Sequence, residues 1–357
     1  MEFSSSRVAV VGGGIIGASI AWRLAQRGYA VSLFEKGAWG GESSGASAGM
    51  LAPGGETDED GQFASMAVEG RRHWSAFIRE LFTVAGLSID YQENGAIDLA
   101  YSDQEWADLE KRAARQQGLG IEAHSMTPAK VAELWPFLRK ESLVGGLFYP
   151  DDAVLNPNQV MSALRVACDR EGVLIREHQG VNRISISSPG KVTIEAAGRA
   201  VETDAAVIAA GAWSGLLEVK GAPALPASEP VKGHLVGYHM ADKWCQTIIR
   251  HGHTYMFQRS SGYFVTGATV EHVGFDRSIQ PEAAKQVEQG SSFVLPMLEG
   301  TEPSHIWMGF RPASDGLQIG RWHKSPLYLA YGHYRNGILL APLTAARVAN
   351  EIAADLG

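Results

Sequence analysis

The stretch Arg7-Val8-Ala9-Val10-Val11-Gly12-Gly13-Gly14-Ile15-Ile16-Gly17 decides the fold. Its β-branched run reads as a buried strand, and the glycines end that strand abruptly. From Ile15 to Arg27 apolar residues recur at helical spacing until Gly28, and Ala30–Glu35 is a second apolar run. Strand, helix and strand in this order make a parallel pair joined by a right-handed crossover. Within it, Gly12 permits the tight turn, Gly14 lets a pyrophosphate approach the backbone, and Gly17 lets helix and strand pack closely. Unpaired amides at the helix start face the phosphates. Glu35, at the tip of the second strand, is placed to hydrogen-bond ribose hydroxyls. The unit predicts a dinucleotide site.

Three more stretches choose the dinucleotide. Gly40-Gly41-Glu42-Ser43-Ser44-Gly45-Ala46-Ser47-Ala48-Gly49-Met50 is a run of small residues and hydroxyls without apolar periodicity. It suits an extended cofactor approached by backbone amides and serine hydroxyls, and a nicotinamide enzyme has no evident use for it. Val207–Ser214 is an apolar strand entering a turn at Gly211, and Gly332–Pro342 is a glycine-marked loop entering a helix. A helix start aimed at the pyrimidine end of a flavin would stabilise the negative charge that reduction places there. Together they favour FAD.

A length of 357 residues suggests about two domains, and 45% hydrophobic with 20% charged residues supplies a large core. The net charge of −8 disfavours a nucleic-acid binder. Cys168 and Cys245 cannot build a disulfide framework or a thiolate zinc site, so a reducing, cytoplasmic setting is expected. No apolar run reaches the ~18 residues of a transmembrane helix. Helices are expected at 63–85, 103–117 (capped by Ser102 or Asp103), 127–135, 158–171 and 341–356. Strands are expected at 173–176, 192–196 and 205–210, with a hairpin over 255–266. Units of α/β type at both ends, with strand-rich material between, predict an α/β protein. Its Rossmann-like FAD-binding domain is built from discontinuous segments, 1–85, 150–215 and 310–357. The inserted, mainly antiparallel β-sheet substrate domain takes 86–149 and 216–309, with Leu216–Pro230 as the boundary loop.

The residues in Val10–Gly17, Ala46–Pro53, Val207–Ser214, Gly309–Gly320 and Gly332–Pro342 carry a resemblance. Over nearly its whole length the chain resembles the glycine oxidase (ThiO-like) branch of the FAD-dependent D-amino-acid-oxidase flavoproteins. The resemblance implies that fold, and cofactor contacts at Gly12, Gly14, Ile15, Ile16 and Gly17 and at Glu35 and Lys36 by the adenosine ribose. It places Ser43, Ser44, Ala48, Gly49 and Met50 along the pyrophosphate and flavin, Val181 at the adenine, and Gly211 at the following turn. His333, Tyr334, Arg335, Asn336, Gly337, Ile338 and Leu339 would wrap the isoalloxazine edge. Arg311 falls where the family's substrate-carboxylate arginine belongs, Arg335 matches a second substrate-side arginine, and His253, Tyr255 and Met50 match pocket positions. Val270 stands where a methionine is frequent, implying a changed pocket wall. No cysteine lies near the C-terminal flavin loop, so FAD is expected to be non-covalent.

The implied chemistry is hydride transfer from a small amino acid or amine to flavin N5. An imino acid leaves and hydrolyses to an oxo acid and ammonia, while dioxygen is reduced to hydrogen peroxide. Thiazole (thiamine) biosynthesis is the implied pathway and a homotetramer the implied assembly. Such an enzyme must anchor a carboxylate, and a buried guanidinium pairs with one bidentately while staying charged. Two other readings stand beside this one: a D-amino acid or sarcosine-type dehydrogenase using another electron carrier, and a non-catalytic dinucleotide-binding regulator or NAD-dependent enzyme. His251 and His253 are poor metal ligands without supporting acids, so no metal is expected.

Overall fold

The computed structural model describes residues 6–56, 61–187, 190–240 and 242–357. Strand Arg7–Val11 lies inside a six-stranded sheet, parallel to Ala30–Phe34 on one side and to Ala205–Ile208 on the other. Leu174–Arg176 and Leu327–Tyr331 extend it in parallel, and Gln318–Arg321 closes one edge antiparallel. The central strands are nearly continuous apolar runs because both faces are covered. One face carries helices Ile15–Ala25, Gly61–Ala85, Pro157–Arg170 and Gly337–Leu356, whose shared core includes Trp22, Trp74 and Phe77. The other face packs on a four-stranded sheet of Val181–Ser187, Lys191–Ala196, Arg199–Thr203 and Glu218–Lys220 through Ile184, Val192 and Ile194.

The second unit is an eight-stranded sheet. Its order runs His305–Ser314, Ser228–His239, Tyr263–Gly267, Thr254–Gln258, Ile248–His251, Ala96–Ala100, Gly145–Tyr149 and His124–Met126. Every pairing is antiparallel except that of Ile248–His251 with Ala96–Ala100. Helices Pro128–Leu134 and Pro281–Val294 pack into its core through Val131, Ala284 and Val287. Leu235, Tyr255 and Phe257 form a separate cluster with Ala48 from the small-residue run. That contact joins the two units.

Three local differences from the sequence reading have physical causes. Within Leu216–Pro230, Glu218–Lys220 pairs with Arg183–Ser185, so this piece stays with the nucleotide unit and the chain enters the large sheet at Ser228. Ser43–Ala46 coils into one helical turn instead of a loop. The last helix starts at Gly337, not Ala341, and runs through Pro342. The proline forfeits the bond to the carbonyl of Ile338, but burial of Ile338, Leu339 and Leu340 holds that turn in place. At Ser102 the two candidate caps resolve: its hydroxyl accepts the Glu105 amide at 3.3 Å, while the Glu105 carboxylate accepts the Tyr101 amide at 2.6 Å.

Candidate active site

A cavity of about 460 Å³ is lined by residues from both units. Two long helices begin at it, Ile15–Ala25 and Gly337–Leu356, and neither is capped by its own N-cap side chain, Gly14 or Asn336. Both partly positive helix ends therefore serve one space. Ser44 reaches the first of them, its hydroxyl accepting the Ile15 amide at 2.9 Å. Ser43 donates to the Phe310 carbonyl, tying the same helical turn to the large sheet. Glu35 is buried, and its carboxylate accepts the amides of Gly13 at 2.7 Å and Gly37 at 2.8 Å. Beside it the Lys36 ammonium lies 2.9 Å from the centre of the Trp213 ring and 3.3 Å from Glu42. Desolvation lowers the Lys36 pKa, against the pull of Glu42.

The wall built from the small-residue run is held from behind. Arg259 is buried, and its guanidinium donates to the carbonyls of Ala48 and Leu155. Burial lowers its pKa to about 10. Gly49 has φ +85°, and a side chain there would strike the Leu155 carbonyl, so glycine is required where this run turns toward the cavity. On the opposite side His333 is buried with Nε2 at 3.0 Å from Thr344 Oγ1. Desolvation pushes its pKa down to about 3, which leaves a neutral imidazole.

At the end formed by the large sheet, Arg311 projects from strand His305–Ser314. Its Nη1 donates to the carbonyls of Thr269 at 3.0 Å and Lys232 at 3.3 Å. Gly233 and Gly309 face each other across the strand pair and both line the cavity. A β-carbon on Gly233 would stand 2.7 Å from Cζ of Arg311. Met50, Leu235 and Tyr255 complete an apolar wall at this end. A planar cation beside an apolar wall is suited to a small carboxylate.

The cavity gathers most of the residues singled out from sequence. Gly12, Gly14, Ile15, Ile16, Glu35, Lys36, Ser43, Ser44, Ala48, Gly49, Met50, Val181 and Gly211 line it, as do His333 to Ile338, Tyr255 and Arg311. Arg335 lines it from an exposed position at its edge. Four residues fall elsewhere. Gly17 is a packing glycine, since a β-carbon there would collide with the Gly12 carbonyl, and it does not line the cavity. Leu339 is buried in the helical core, where its carbonyl accepts the Trp74 indole N–H at 3.1 Å. His253 is exposed in the turn between Ile248–His251 and Thr254–Gln258, because the strand that buries Tyr255 begins only at Thr254. Val270 is 46% exposed and forms no part of the cavity wall. Sequence reading missed Gly233, Leu235, Gly309, Trp213 and Asn182, which all line the space. For the two glycines a signal existed: a glycine inside a strand marks close approach of something else.

The residues fit FAD. Two helix starts without an N-cap side chain of their own, together with glycine backbone, would hold the diphosphate, Glu35 would face the ribose, and the His333–Ile338 turn would line the flavin. Both cysteines are buried and neither lines the cavity. Among the described residues no group of three or more His, Cys, Asp or Glu could hold a metal ion, and no helix is long and apolar enough to cross a membrane.

Comparison with known proteins agrees. A family profile described as FAD dependent oxidoreductase matches residues 7–351. A glycine oxidase of Geobacillus kaustophilus is 33% identical over 97% of this chain and 92% of its own length. A bifunctional ThiO/ThiG protein of a Nostoc species is 31% identical over 97% of this chain and 52% of its own length. The crystal structure of glycine oxidase from Geobacillus kaustophilus superposes with a TM-score of 0.91 at 31% identity, covering 98% of this chain and 95% of the other. The chain belongs to the FAD-dependent oxidoreductases and, within them, to the glycine oxidase branch.

Proposed function

We propose that this flavoprotein oxidises glycine and other small amines or D-amino acids. The imino acid released hydrolyses to an oxo acid and ammonia, and dioxygen takes the electrons to give hydrogen peroxide. The placement of Arg311 carries this reading. Its guanidinium stands at the apolar end of a cavity whose other walls suit FAD, where it can grip a substrate carboxylate bidentately. FAD, when bound, supplies the hydride acceptor. The protein's part is to fix the carboxylate at Arg311, to wall off water with Met50 and Leu235, and to set the α-carbon by means of Tyr255. The amine enters in its neutral form, so positioning rather than proton transfer by a side chain governs the step. Arg335, at the edge, is a second cation on the carboxylate's approach. FAD is held non-covalently, neither buried cysteine lining the cavity. Glycine oxidase relatives, and a bifunctional ThiO/ThiG relative, support glycine as substrate and thiazole formation as the use of the product.

The test is a panel of glycine, sarcosine and D-alanine added to the purified yellow protein, with peroxide release and oxygen uptake recorded. Peroxide formed in step with glycine consumed is the expected result. Flavin bleaching by glycine without oxygen uptake would instead identify a carrier-coupled dehydrogenase. Failure of every amine to bleach the flavin would reject amine oxidation altogether.

A further inference from the structure

Strand Ser228–His239 presents Gly233 and Leu235 to the cavity. By strand alternation Lys232 and His234 point to the opposite side, and both are fully buried. That side is covered by residues 269–280. Lys232 Nζ donates to Asp276 Oδ2 at 3.2 Å and to the Ser278 carbonyl at 2.5 Å. The backbones of Lys232 and Glu271 exchange two hydrogen bonds of 2.9 Å each. His234 Nε2 accepts the Gln280 amide at 3.1 Å, so its proton sits on Nδ1 and is donated to Glu271 at 2.7 Å. The Thr269 hydroxyl accepts the His234 amide at 2.9 Å.

This seam leads back to Arg311, because the carbonyls that hold its Nη1 belong to Lys232 and Thr269, one on each side of the seam. Phe275 packs residues 269–280 against Trp213 and Phe310, with ring centroids 4.7 and 5.6 Å apart, while Val270, Val273 and Ile279 on either side of it are exposed. A wholly buried ammonium is costly unless its hydrogen bonds are met, and here they are met by this one segment.

We propose that Lys232 is a positioning residue for substrate binding: it rivets residues 269–280 to the sheet and so fixes the two carbonyls that aim Arg311. The proposal rests on the reading of Arg311 as the carboxylate anchor. Lys232 touches neither substrate nor cofactor and acts only through Arg311.

The test uses the FAD-loaded protein and the variants Lys232→Met and Asp276→Asn, with Arg311→Ala as reference and Val273→Ser as control. Acetate is titrated and its Kd read from the flavin absorbance change, alongside kcat and KM for glycine and the Kd for FAD. Each seam variant should raise the acetate Kd and the glycine KM about tenfold, leaving kcat and FAD affinity within about twofold. The double variant should match Lys232→Met, since that change already removes the contact that Asp276→Asn weakens. Val273→Ser should match the wild type. Unchanged acetate affinity in Lys232→Met overturns the proposal, as does a parallel loss of kcat and FAD affinity, which marks general loosening. If Lys232→Met does not fold, the Asp276→Asn result decides alone. Should Arg311→Ala also leave acetate binding unmoved, the anchor reading itself fails. A weakened Arg311→Ala beside an intact Lys232→Met confines the failure to Lys232.

Discussion

The Arg311 guanidinium lies against the backbone of Gly233, in space that the smallest side chain would claim. The obstacle would be the far end of a flexible side chain, so Gly233→Ala should be accommodated by moving that side chain rather than by disturbing the sheet. The expected result is a Tm near the wild-type value with a glycine KM raised about tenfold or more. Thermal denaturation and steady-state kinetics on one preparation check it.

Arg311→Ala should raise KM about a hundredfold, because a desolvated carboxylate would lose its charged partner. Arg311→Lys keeps the charge but loses the planar fork, so its KM should fall between those of alanine and wild type. Kinetics across a glycine series decide the order.

Ser44→Ala removes the hydroxyl that accepts the Ile15 amide at the first cofactor-facing helix. A lost cap of this kind costs about 1 kcal/mol. Reconstitution of the apoprotein should accordingly need about fivefold more FAD, with little change in KM once the cofactor is saturating. Fluorescence titration of apoprotein with FAD measures this directly.

His333 gives the stability a pH dependence whose sign is fixed. Its folded pKa, about 3, lies below its ordinary value of 6.5, because burial disfavours the cation. Below pH 6.5 the unfolded chain binds a proton that the folded one refuses, so this contribution is whole above 6.5 and falls progressively toward about pH 3. The slope is at most about 1.4 kcal/mol per pH unit. His333→Gln should flatten the acid limb of the denaturation curve between about pH 4 and 6 relative to the wild type.

The cofactor half of the molecule was legible because its constraints are local. Strand Arg7–Val11, the turn at Gly12 and helix Ile15–Ala25 follow one another in sequence, and the helix and hairpin periodicities elsewhere are read the same way. The substrate half was harder to read. Gly233 acquires its meaning only from Gly309, its partner across the strand pair, and from Arg311 two residues further on. Lys232 looks like any surface lysine until Asp276 and Ser278 are folded over it. His253 was misplaced for the converse reason: proximity to Tyr255 in sequence says nothing about which side of a hairpin turn faces solvent.

Helix Gly337–Leu356 packs into the same core as helix Ile15–Ala25, although nearly the whole chain separates them. On the ribosome the first helix must therefore wait, its oily flank bare, until residues 337–356 have cleared the exit tunnel. Loading of the vitamin-derived coenzyme must follow the emergence of that helix, and a chain cut short before it would emerge colourless and in need of a chaperone.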